Sequence, residues 1–78
     1  MAEYYTETRE EYMAWAKSRA LEYVDRGNLP AAVASMLSDL GKRVDTTLRG
    51  AGPFIGAAGM LAIEQGPEAV RHWVEGFN

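Results

Sequence analysis

His72 is the only histidine in the chain. Glu68 and Glu75 flank it at i−4 and i+3, a spacing that would set three potential metal ligands on one face of a helix. The chain has no cysteine, so this set offers one nitrogen and two carboxylates. Zinc sites usually draw on several nitrogen or sulfur ligands, and the face is therefore read as solvated, with no metal or cofactor expected. Ser35, Ser38 and Asp39 supply residue types that could join His72 in a nucleophilic triad. No strained nucleophile turn or oxyanion-hole sequence accompanies them, so surface serines on a helix are the expected outcome and no enzymatic activity is assigned.

A second candidate is the stretch from Lys42-Arg43 to Arg49-Gly50-Ala51-Gly52-Pro53. Cationic side chains, glycines that let the backbone approach a ligand, and the free N–H groups at a helix N-terminus are together the ingredients of an anion site. Lys42, Arg43, Arg49, Gly50 and Gly52 are thus the candidate residues for a phosphate or nucleotide. The stretch is not a Walker loop, since no strand precedes it and no Gly-Lys-Ser/Thr closes it. A linker whose glycines relieve crowding explains the same residues.

Aromatic residues give a third candidate. Trp15 falls about 120° from the centre of the apolar face of its helix, beside Glu11, Arg19 and Glu22, while Tyr4 and Tyr5 precede the helix. Trp, Tyr and Arg are the residue types that anchor protein interfaces, so Tyr4, Tyr5, Trp15 and Arg19 form a candidate protein-binding set. In so small a domain, however, Trp15 is expected to be covered by the last helix or by the N-terminal arm.

The elements that must carry these residues are helical. Thr8-Arg9-Glu10-Glu11 has the form of a capping box, which predicts a first helix beginning near Arg9. Tyr12, Met13, Ala16, Ala20, Tyr23 and Val24 then share one face at the 3.6-residue period. Gly27 suits a left-handed C′ position, Asn28 caps the next helix, and Pro30 is tolerated in a first turn whose N–H groups have no intrahelical partner. Leu29, Val33, Met36, Leu37 and Leu40 continue the apolar period until Gly41, so that two helices joined by a short turn must lie antiparallel.

Residues 42–52 read as a polar, glycine-rich loop with a short turn of helix around Asp45 to Leu48. Pro53 opens a third helix with Phe54, Ile55, Ala58, Leu61 and Ala62 on its expected inner face. Gly56 and Gly59 supply a flat strip against which another backbone is expected to lie. After Gln65-Gly66, Pro67 opens a fourth helix with Val70, Trp73, Val74 and Phe77 on one side. The expected fold is all-α: a single four-helix domain over 1–78 built on an N-terminal antiparallel helical hairpin. Residues 1–8 form an arm, 9–41 the hairpin, 42–52 a loop, and 53–78 two shorter helices.

At 78 residues and without cysteine, the chain holds itself by packing or by oligomerisation, and an intracellular setting fits best. The net charge of −3 argues against a general nucleic-acid binder, which would need a dense Lys/Arg face. The start is acidic, unlike a signal peptide, and the longest apolar-rich run, Pro53 to Ile63, is eleven residues. Spanning a bilayer takes about 20, so no membrane partner is expected.

Two resemblances add to this reading. Ala20, Tyr23, Gly27, Ala32 and Met36 stand where a tetratricopeptide unit favours such residues, although Asp39 replaces a small residue and no second copy follows. More extensively, Glu11-Tyr12-Met13-Ala14-Trp15-Ala16-Lys17-Ser18-Arg19-Ala20-Leu21-Glu22-Tyr23, Asp25 to Leu29, Ala32 to Lys42 and the ending Val74-Glu75-Gly76-Phe77-Asn78 resemble a family of small proteins of tailed bacteriophages, especially those of actinobacteria. The stretch from Arg43 to Ala58 departs from that pattern. The resemblance implies a phage origin and a place in the cytoplasm of the infected host, and carries no activity or site residues. It favours a non-enzymatic protein that binds a host or phage protein, either as a single copy or as a homo-oligomer. The alternative is an oligomeric sponge that sequesters a nucleotide defence signal in the Lys42 to Pro53 region.

Overall fold

The computed structural model describes residues 8–43 and 52–77, which form four helices and no strand. Tyr4, Tyr5, Arg49, Gly50 and the helical turn expected at 45–48 lie outside the described residues. Helix α1 spans Arg9–Asp25, α2 Leu29–Gly41, α3 Gly52–Gln65 and α4 Pro67–Glu75.

Helix α1 begins with a complete capping box. The Thr8 side chain accepts from the Glu11 N–H at 3.0 Å, and the Glu11 carboxylate accepts from the Thr8 N–H at 2.8 Å. Its end is equally well defined, because Gly27 at φ 77° lets the chain turn left-handed. There the Gly27 N–H donates to the Val24 carbonyl and the Asn28 N–H to the Tyr23 carbonyl, both at 2.9 Å. This pair of bonds is a Schellman motif, and it satisfies carbonyls that the end of a helix otherwise leaves bare. The Asn28 side chain then accepts from the Ala31 N–H at 3.3 Å, so one helix stops and the next starts within three residues.

The hairpin packs through Tyr12, Met13, Ala16, Ala20 and Val24 of α1 against Ala32, Val33, Met36 and Leu40 of α2. Alanines at 16, 20 and 32, all fully buried, let the two helices approach closely. Tyr23 and Leu37, expected on the inner faces, are half-buried at their margins. Val70 and Val74 of α4 close the core from the other side, with Trp73 and Phe77 packed against it. Arg71 ties α4 to the end of α1 through a 2.6 Å ion pair with Asp25, and the Lys17 ammonium donates to the Glu75 carbonyl at 3.2 Å, at the C-terminal end of α4.

Helix α3 departs from expectation. Its buried strip runs through Gly59 and Ala62, flanked by half-buried Ile55, Gly56 and Ile63, whereas Phe54 and Leu61 point to solvent and Ala58 is exposed. The physical reason is side-chain packing at Gly59. A β-carbon there would lie 2.8 Å from Val33 Cγ1 and 2.9 Å from Trp73 Cζ2, so the glycine admits side chains of α2 and α4 where a neighbouring backbone was expected. That registration turns the larger residues outward. Helix α3 packs on α2 and α4 and barely touches α1, which lies diagonally across the bundle.

Candidate functional site

Along one edge of the hairpin two aromatic rings lie between two guanidinium groups, with Tyr12 and Arg43 buried and Trp15 and Arg19 exposed. Tyr12, Trp15 and Arg19 stand at i, i+3 and i+7 on α1, so their side chains lie one above another along the helix. The Tyr12 and Trp15 ring centroids are 5.3 Å apart, and the Arg19 guanidinium lies 4.9 Å from the Trp15 ring. At the other end, the Arg43 guanidinium lies 5.0 Å from the Tyr12 ring. Each guanidinium is thus placed to interact with an aromatic face, a contact worth about 0.5–2 kcal/mol depending on desolvation.

Asp39 fixes the run in place. It has no exposed surface, and its Oδ2 accepts from Arg19 Nε at 3.0 Å while Oδ1 lies 3.4 Å from Lys42 Nζ. Its backbone carbonyl accepts from the Tyr12 hydroxyl at 2.6 Å. One residue of α2 therefore holds both the tyrosine and the arginine that bracket Trp15. The indole itself remains 42% exposed, so its expected burial is corrected to a partly open side chain set between Tyr12 and Arg19.

The members of the candidate anion site are placed differently. Arg43 is 6% exposed and donates through Nη1 to the Thr8 carbonyl at 3.4 Å, which joins the end of α2 to the cap of α1. Lys42 directs its ammonium to Asp39, and Gly52 is the first residue of α3, one position ahead of Pro53. Both described cations of the set are thus engaged within the hairpin.

Ser35, Ser38, Asp39 and His72 do not form the arrangement a triad needs, because the Asp39 carboxylate is taken up by Arg19 and Lys42. The buried Ser35 hydroxyl has no hydrogen-bond partner among the described residues. No group of three His, Cys, Asp or Glu side chains among the described residues could hold a metal ion. His72 instead borders a shallow apolar groove between α3 and α4, together with Ile55, Ala58, Trp73 and Phe77.

Two features escaped sequence reasoning. The anchoring role of Asp39 was hidden because Arg19 and Tyr12 lie 20 and 27 positions away, although its place as the one charge in α2 was a signal. The outer face of α3, with Phe54 77%, Met60 63% and Leu61 56% exposed, was missed because the helix is apolar all round and its period does not single out an inner face.

No protein-family model, curated protein or solved structure matches the chain. No helix among the described residues is long and apolar enough to cross a membrane.

Proposed function

We propose that this chain is a small non-enzymatic protein-binding module of a tailed bacteriophage. It acts in the cytoplasm of the infected cell by docking a host or phage protein on the Tyr12–Trp15–Arg19 side of the hairpin. The observation that carries this reading is the half-open Trp15, set between Tyr12 and Arg19, with both neighbours tied to Asp39. Interface hot spots are enriched in these residue types, and a ring already held in place loses little conformational freedom on binding. The phage setting rests on the resemblance of the hairpin sequence. The nucleotide-sequestering alternative draws no support from the geometry of Lys42 and Arg43.

The test is capture of proteins from bacterial extract on immobilised wild-type chain and on Trp15→Ala, with helicity followed by circular dichroism. A partner retained by the wild type and lost by a variant of unchanged helicity is the expected result. Equal retention by both chains would remove Trp15 from the interface, and no retention by either would remove the reading itself.

A further inference from the structure

Helix α3 presents a second surface, on the far side of the bundle from Trp15. From Phe54 to Ile63 the chain carries no charged residue. The strip through Gly59 and Ala62 meets the core, yet the opposite face, with Phe54, Ala57, Ala58 and Leu61, is open to solvent. A helix that is hydrophobic all round is normally buried all round, so this face calls for a cover.

We infer that the cover is a second copy of this chain, with the two α3 helices packed antiparallel about a two-fold axis near Ala57 and Ala58. The face is complementary to itself. Phe54 and Leu61 stand seven positions apart with the two alanines midway, so the pattern of large, small, small, large reads alike in both directions. Antiparallel pairing sets Phe54 of each copy against the other copy's Leu61 and lets the alanines meet at the centre, where the axes come closest. This is an isologous contact, which closes at two copies.

The whole chain carries −3, but the face contributes none of it, and antiparallel pairing sends the two Glu64 side chains to opposite ends of the contact. A strongly charged partner would find nothing on this face to recognise. Phe54 and Leu61, with the exposed alanines and the rim of the α4 groove, offer roughly 400 Å² per copy, so pairing covers about 800 Å², the size of a weak and reversible contact. The surface is distinct from the Trp15 patch, so the two stand or fall separately.

Sedimentation velocity from low to high micromolar concentration tests the association. The mass is expected to rise from one copy to two in the wild type and in Trp15→Ala, and to stay at one copy in Phe54→Asp and in Leu61→Asp. Because the chain has no cysteine, Phe54→Cys and Leu61→Cys then report the geometry without interference from other thiols. When the two cysteine variants are mixed and oxidised, the expected product is the disulfide that joins one variant to the other. A wild type that stays monomeric throughout, a dimer unaffected by either aspartate, or crosslinking dominated by like-with-like pairs would each overturn the proposal. The crosslinking result stands even if an aspartate variant fails to fold, and a wild type that dimerises but captures no protein would count only against the Trp15 reading.

Discussion

Gly59 and Trp73 fit together so closely that a β-carbon on the glycine would lie 2.9 Å from the indole Cζ2. A second wall, Val33 Cγ1 at 2.8 Å, blocks retreat toward α2. Gly59→Ala is therefore expected to destabilise the domain by about 1–2 kcal/mol, since overpacking outweighs the gain in helix propensity. At Gly56 the same addition would meet only Leu37 Cδ1, at 3.8 Å, an ordinary contact. Gly56→Ala is expected to stabilise by about 0.5–1 kcal/mol. Urea unfolding of the two variants beside the wild type checks the opposite signs.

Arg19→Ala leaves the Asp39 carboxylate buried with Lys42 as its remaining cation among these pairs. Because the Arg19 side chain is itself 44% exposed, the loss is expected at about 1–3 kcal/mol, less than for a fully enclosed pair. The double variant Arg19→Ala with Asp39→Ala should cost less than the sum of the two single changes, a coupling that a double-mutant cycle reads directly.

Tyr12→Phe keeps the ring that packs against Trp15 and removes only the hydroxyl bonded to the Asp39 carbonyl. The expected cost is about 1 kcal/mol, the net value of one buried hydrogen bond, with helicity unchanged. If the ring contact alone holds Trp15, its fluorescence maximum should stay where it is. A red shift would show that the hydroxyl also restrains the indole.

Gly66 joins α3 to α4 at φ 111° and ψ −178°, a region that residues with a β-carbon rarely enter. Space is not the constraint, since a β-carbon there would meet nothing within 4 Å. Gly66→Ala is expected to lower stability by about 1–3 kcal/mol through backbone strain alone, measured as a fall in the urea midpoint at unchanged slope.

The hairpin was the most legible part of the chain because its signals are local. A capping box at Thr8, a left-handed Gly27 and the Asn28 cap act within a few residues, and each is found in the fold. Helix α4 was legible from the spacing of Val70 and Val74. Helix α3 was legible as a helix but not in its rotation. With no polar side to exclude, its orientation was decided by Trp73 and Val33, residues 14 positions onward and 26 back in the chain. The same limit applied to the site. Trp15 and Arg19 were visible as residue types at helical spacing, whereas the hold that Asp39 exerts on them exists only once α2 has folded back on α1.

The diagonal placement of α1 and α3 has a consequence for strength of binding. Two copies joined through α3 would hold their Trp15 patches apart on the outer flanks, each free to engage the same assembly. Against a target that repeats its binding site, as many oligomeric machines do, the second engagement becomes intramolecular. Such avidity commonly raises apparent affinity by about 10²–10⁴ without a single added contact. A patch centred on one half-open indole, weak by itself, would then suffice.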